Sequence, residues 1–210
     1  MVLLHGGASD SQDWVGTMAA LSHRYSLYAP DLIGFGRSDR LKSGYYLSDF
    51  VQFTLEFIKK LGLDSPVLVG HSFGGRLCLQ VAIRCPEMVR RLVLVDTAGF
   101  GKMSRWGGSL SALLWAMRKL FRRSQPYPKF LSEDGEEANW LCFERLSDLT
   151  APTLIVWKRH DPYLPLASAR RAEEMIPNAR LAILPGYGHA PHKQNEDSFN
   201  RLLLDFLDHD

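Results

Sequence analysis

Val67-Leu68-Val69-Gly70-His71-Ser72-Phe73-Gly74-Gly75 decides how this chain is read. The stretch begins as a short apolar, β-branched run, the pattern of a buried strand. It continues as Gly-His-Ser-Phe-Gly, a G-x-S-x-G pattern. From Arg76 onward, Leu77, Leu79, Val81, Ala82 and Ile83 take up a helix-compatible spacing. A serine therefore sits on a sharp turn between a strand and a helix. Side chains at Gly70 and Gly74 would collide with neighbouring backbone in so tight a turn. The turn pushes the Ser72 hydroxyl outward and aims the first amides of the helix at the same spot, where they can meet a developing negative charge. The bland reading is a glycine-rich connection with a solvated serine. The strand before, the helix after and the additional Gly75 favour a nucleophile.

The rest of the chain bounds the possibilities. Its 210 residues suit one domain with a sizeable core. Hydrophobic residues make up 46% and charged residues 23%, as in ordinary globular proteins. A net charge of +2 gives no reason to expect nucleic acid or an anionic membrane as partner. The three cysteines, Cys78, Cys85 and Cys142, form no C-x-x-C pair. An odd count without such a pair fits reduced thiols, and so a cytoplasmic setting, better than a disulfide framework. No apolar run reaches the length of a membrane span, and Met1-Val2-Leu3-Leu4 is too short for a signal-peptide core.

Outward from the serine turn, buried strands alternate with amphipathic helices. Strands are expected at Val2–Leu4, Tyr25–Ala29, Leu92–Asp96, Thr153–Trp157 and Arg180–Leu184. Helices are expected at Asp13–Leu21, from an N-cap at Ser48 to a C-cap at Gly62, and at Ala167–Ile176 and Ser198–Leu207. Such alternation implies a mostly parallel sheet covered on both faces. Gly34-x-Gly36 after the Tyr25–Ala29 run lacks the third glycine of a dinucleotide fingerprint, so no nucleotide site is expected. The alternation breaks between Thr97 and Thr150. Leu110, Leu113, Leu114, Met117, Leu120 and Phe121 form one helical stripe there, beside a basic run and an acidic cluster. The reading is a core of residues 1–98 and 149–210 with a small helical lid over 99–148, docked by its apolar stripe. A basic helix seeking a membrane or an anionic substrate is the rival reading.

A serine hydroxyl needs a base within hydrogen-bond reach, and the base needs an orienting acid. Loops leaving the carboxyl ends of parallel strands share one edge, where ligands bind. Three such loops carry Ser72, Asp161 and His189, in the chain order expected for a strand–turn–helix nucleophile. His192, three residues past His189, is the serious rival for the base. A metal-binding His189-x-x-His192 pair is weak, because Pro191 intervenes and no further spaced ligands follow. Asp96 also ends a strand and is the rival for the acid; chain order favours Asp161. Asp31 is expected to brace the Gly34–Ser38 loop. An oxyanion hole needs two backbone donors, and the amides of Phe73 and Gly7 are the candidates.

Taken together, these residues resemble the α/β-hydrolase superfamily, close to its esterase-like core group. The likeness runs through His5-Gly6-Gly7, the Asp31–Asp39 loop, the Gly70–Gly75 elbow, the Asp161 turn and Gly188-His189. It implies a lid inserted after the strand ending near Asp96, and no cofactor. Two departures stand out. Family members usually carry two strands ahead of the His-Gly strand, where this sequence starts. The Tyr25–Ala29 edge is then expected to be exposed and to pair with a second copy. The lid is also short, and Lys158 stands where a glycine is common before the acid turn, a change expected to shift the Asp161 loop. The function expected is hydrolysis of a small carboxylic ester through Ser72, His189 and Asp161. Cleavage of a carbon–carbon bond in a dienoic ring-cleavage ketone is the first alternative. A non-catalytic receptor, or an inactive truncated hydrolase, is the second.

Overall fold

Short runs of Val, Leu and Ile bounded by turns pair most economically as a sheet buried on both faces, and five of them do so here. The structure is a computed structural model and describes residues 1–40, 46–104, 107–109, 113, 116, 117 and 143–209. Strands β1 (Val2–Leu4), β2 (Val67–His71), β3 (Arg91–Val95), β4 (Thr153–His160) and β5 (Ala179–Tyr187) lie side by side in that order, all parallel. Their side chains divide by the period of two. Val2, Leu4, Leu68, Leu94, Ile155 and Trp157 enter one core. Leu3, Val69, Val93, Val95, Leu154 and Val156 enter the other. Helices α2 (Leu47–Lys60), α3 (Phe73–Arg84) and α4 (Leu166–Met175) bury their apolar stripes on the first face. Helices α1 (Val15–Leu21) and α6 (Glu196–His209) cover the second, with Phe199, Leu203 and Phe206 inward. Among the described residues no helix is long and apolar enough to cross a membrane.

Four expectations change. The Tyr25–Ala29 run is not a strand. It makes a single parallel bridge, with Tyr28 N–H donating to Met1 O at 3.0 Å and Leu3 N–H to Tyr28 O at 2.8 Å. It does lie outside β1, at the sheet edge, but its one partner is only three residues long. Helix α2 begins at Leu47, before Ser48, because Asp49 Oδ2 accepts the Tyr46 N–H at 2.8 Å and makes Tyr46 the cap. Strands β4 and β5 run past their expected ends because each keeps the other paired as far as His160 and Tyr187. Pro185 is tolerated inside β5 because β5 is an edge strand.

The fourth change concerns the inserted segment. Leu113 and Met117 of the apolar stripe are exposed rather than docked, while Leu110, Leu114, Leu120, Phe121 and the acidic cluster lie outside the described residues. The flanks expected to belong to the lid pack with the core. Phe100 is buried against Trp157, with ring centroids 6.0 Å apart, and Leu146, in the turn Phe143–Asp148, is fully buried.

One residue separates β2 from α3, so the helix must start almost on top of the sheet. A Cβ at Gly74 would stand 2.3 Å from the Leu4 carbonyl oxygen, and one at Gly70 2.4 Å from the Gly74 oxygen. Both obstacles are backbone and cannot swing aside. Gly74→Ala is therefore expected to cost about 2–3 kcal/mol of stability, read as a lowered denaturation midpoint in urea.

Candidate active site

Ser72 occupies the single residue between β2 and α3, with φ 50° and ψ −110°, a conformation costly for a residue with a Cβ. Hydrogen bonds hold it there. Its N–H donates to Val95 O at 2.9 Å, and its carbonyl accepts from Arg76 N–H at 3.1 Å and Ala98 N–H at 3.0 Å. The strain is thus shared between the end of β3 and the first turn of α3, and the side chain is left pointing out of the elbow.

His189 arrives on the loop after β5, and its ring meets the serine. Ser72 Oγ lies 2.9 Å from His189 Nε2, and Asp161 Oδ2 lies 2.6 Å from Nδ1. A carboxylate only accepts, so Nδ1 carries the proton and Nε2 is free to take the serine proton. Asp161 is fixed in turn: its Oδ1 accepts the N–H of Tyr163 at 2.7 Å and of Leu164 at 3.1 Å. The structure therefore brings Ser72, His189 and Asp161 into one hydrogen-bonded row. His192 is not in it; its side chain is buried against Trp14, with ring centroids 4.3 Å apart. Lys158 is engaged at both its backbone and its side chain beside the acid turn. Its backbone N–H donates to Asp96 Oδ1 at 2.8 Å and its ammonium to Asn195 Oδ1.

The loop after β1 faces the same point. A Cβ on Gly7 would touch Phe73 Cβ at 3.8 Å, which places the Gly7 backbone beside the first residue of α3. His5 anchors this loop. Its Nε2 accepts the Leu32 N–H at 2.9 Å, so its Nδ1–H donates to Gly6 O at 2.8 Å. Asp31 braces the next loop, accepting Ser11 N–H and Arg37 N–H at 2.8 Å each. Across the site, Lys193 Nζ donates to Asp13 Oδ1 at 2.6 Å, tying the turn after Gly7 to the helix α5 (Pro191–Gln194) that follows His189.

Behind His189 lies a buried layer that the sequence did not disclose. His71 Nε2 donates to the His189 carbonyl at 2.5 Å, and the His71 ring lies 4.6 Å from that of His192. Burial, with His189 adding to it, pushes the His71 imidazole down to about 3. Burial also holds His192 well below the ordinary histidine range and lowers His5. These rings are neutral supports. Asp96 shows the opposite response: burial and then the charge of Asp161 hold its carboxyl well above the usual range. Only the run of residue types hinted at this layer: a histidine beside the serine, and a second three residues past His189.

Among the described residues, two groups bring ligand-type atoms within 4.8 Å of one another: Asp13–His71–His192 and Asp96–Asp161–His189. In the first, Asp13 is already taken by Ser9 and by the Lys193 ammonium, whose charge opposes a bound cation. In the second, Asp161 and His189 are committed to each other. In the first group His71 Nδ1 and both ring nitrogens of His192 are buried without a hydrogen-bond partner among the described residues, with the Lys193 ammonium standing against the one carboxylate.

A parallel sheet wrapped on both faces, with a strained serine between strand and helix and a histidine–carboxylate pair at the same edge, defines the α/β-hydrolase class. The family profile described as the alpha/beta hydrolase fold matches residues 1–123, and that of the TAP-like proteins matches residues 139–209. The chain belongs to the α/β-hydrolase fold family. It is similar to the 2-hydroxymuconate semialdehyde hydrolase of Pseudomonas putida, at 30% identity over 98% of this chain and 86% of that protein. It is 28% identical to the 2-hydroxy-6-oxo-6-phenylhexa-2,4-dienoate hydrolase of Burkholderia cepacia, over 99% of this chain and 87% of that protein. Among solved structures, a meta-cleavage product hydrolase from Pseudomonas fluorescens superposes with a TM-score of 0.77 at 27% identity, covering 98% of this chain and 89% of the other.

The buried rings make stability depend on acid. The histidines His5, His71 and His192 bind protons less readily folded than unfolded, so stability falls as the pH drops below about 6.5 towards their native values. Asp96 partly offsets this, since above about pH 4 its folded form keeps a proton that the unfolded chain releases. Near pH 5 the net expectation is uptake of protons on unfolding. The slope of melting temperature against pH, with the calorimetric enthalpy, measures it.

Proposed function

We propose that the chain is a serine hydrolase acting at a carbonyl carbon, with Ser72 as nucleophile, His189 as general base and acid, and Asp161 as the group that orients the imidazole. The observation that carries this reading is the unbroken row from Ser72 Oγ through His189 to Asp161, at 2.9 and 2.6 Å. Ser72 Oγ attacks the carbonyl as His189 Nε2 takes its proton. The imidazolium that forms is stabilised by the Asp161 carboxylate. The negative charge on the former carbonyl oxygen falls to the amides of Phe73 and Gly7. Collapse returns the proton from Nε2 to the leaving group and leaves an acyl-enzyme. Water, activated by the same nitrogen, then releases the acid.

The simplest substrate for this machinery is a small carboxylic ester, because an alkoxide leaving group needs only the proton that His189 already holds. A second reading is favoured by the relatives. The two named above are hydrolases of a muconate semialdehyde and of an oxo-dienoate. On such a substrate the same serine would attack the ketone, and the leaving group would be carbon, which needs a proton delivered to it. Pairing of the sheet edge near Tyr28 with a second copy also stands as a proposal; a monomer in light scattering would remove it.

Two substrate sets separate the readings: p-nitrophenyl esters of graded chain length, and dienoic ring-cleavage ketones. Ser72→Ala is expected to lower kcat/KM at least about 10³-fold on whichever set is turned over. Turnover of the ketones with none of the esters would put the carbon–carbon reading first. A folded Ser72→Ala variant as active as the parent would end both.

A further inference from the structure

We propose that Asp96 is a second acid of this site, a positioning residue able to hold the His189 imidazole when Asp161 cannot. The inference rests on the reading of His189 as general base. Asp96 follows β3 and Asp161 follows β4, so adjacent strand ends deliver both carboxyls to one ring. Asp96 Oδ2 lies 3.9 Å from His189 Nδ1, against 2.6 Å for Asp161 Oδ2. The Asp96 side chain is fully buried, its Oδ1 is held by the Lys158 N–H, and its Oδ2 has no hydrogen-bond partner. Its backbone sits at φ 38°, in the left-handed region that a residue with a Cβ seldom enters. A strained, buried carboxyl with one orphaned oxygen next to an imidazole is expensive to keep for packing alone.

Two carboxyls this close cannot both be charged in a dry site. Asp161 has the better claim to the charge, since its oxygens accept two backbone N–H groups and the ring, whereas Asp96 accepts one N–H. The proton therefore rests on Asp96. The charged or titratable groups around it are Asp161, His189 and Lys158, and the Lys158 ammonium is engaged by Asn195. When the Asp161 carboxylate is removed, its repulsion goes with it. Burial still holds the Asp96 carboxyl above its ordinary range, so it releases its proton to solvent as the pH rises, and its Oδ2 then accepts the Nδ1–H after closing about 1 Å.

This gives an inverted order of substitutions. In Asp161→Asn the amide oxygen inherits the Tyr163 and Leu164 N–H groups, so the amide NH2 faces Nδ1 and forces the proton to Nε2, where it blocks the serine. In Asp161→Ala nothing competes, and Asp96 takes the ring. D161A is expected to be at least about 30-fold more active than D161N, although asparagine is the closer mimic in shape. Adding Asp96→Asn should remove that advantage from D161A and cost much less when added to the wild type. The rate of D161A should also rise with pH along a limb that D161A/D96N lacks, which a purely structural role would not produce.

The readouts are ester or ketone turnover, the rate at which a fluorophosphonate labels Ser72, and the low-field proton resonance of His189 Nδ1. Labelling without turnover would reject the proposed substrates yet still decide the order of variants. If Ser72 does not label at all, the general-base reading fails, and the resonance decides: it should persist in D161A and vanish in D161A/D96N. Asp161→Ser replaces D161A if thermal melts show that the alanine variant is unfolded. D161A no better than D161N, equal losses from Asp96→Asn in both backgrounds, or no Nδ1 resonance in D161A would overturn the proposal.

Discussion

The helix that follows Ser72 begins packed closely on the carbonyl end of β1, and the rest of the site is built around that approach. Gly74 has no room for a side chain against Leu4, so α3 can begin directly above the sheet. The residue before it must then turn through a left-handed conformation, and that residue is the serine. Its N–H reaches Val95 and its carbonyl reaches Ala98. The strained turn is held both from the neighbouring strand and, through the Arg76 N–H, from the first turn of its own helix. Stability and reactivity share one cause here, because the contact that packs the first turn of α3 also exposes the hydroxyl.

Positioning of the other partners follows the same economy. His189 lies on a loop, where a side chain could wander by more than the chemistry tolerates. Two ties restrict it. His71, adjacent to the serine, donates to the His189 carbonyl, and Lys193 is tied to Asp13 on the turn after the Gly7 loop. The nucleophile, the base and the candidate oxyanion loop are thereby referenced to one another rather than separately to the core. The buried imidazoles behind them suit this task because they are neutral. A charged His71 ring would face, among the described residues, the Asp13 carboxylate, which Lys193 and Ser9 already occupy.

What the sequence made legible was whatever a local rule dictates. Glycines flanking a serine, alternating strands and helices, and the order of serine, acid and histidine each follow from short-range sterics or from the topology of parallel sheets. The Tyr25–Ala29 run failed because strand character depends on a partner, and three residues of β1 offer too little ladder. Ser48 failed as a cap because a carboxylate three residues into the helix served Tyr46 better. In the sequence Asp96 and Asp161 compete for a single post. No sequence rule gives the separation between two adjacent strand ends, and that separation lets both carboxyls face His189.

The placement of Asp96 bears on how such sites tolerate change. In a parallel sheet each strand end is about 4.8 Å from the next, so a side chain at one end can reach a ring served from its neighbour. A base that stands over two strand ends can in principle be oriented from either. Which acid holds it is then decided by hydrogen bonding rather than by reach. Asp161 has two backbone donors from the turn it heads, and Asp96 has one, borrowed from β4. The difference of a single donor, multiplied by burial, sets which carboxyl bears the charge. The Tyr163 and Leu164 amides are therefore as much a part of the acid's identity as the aspartate itself.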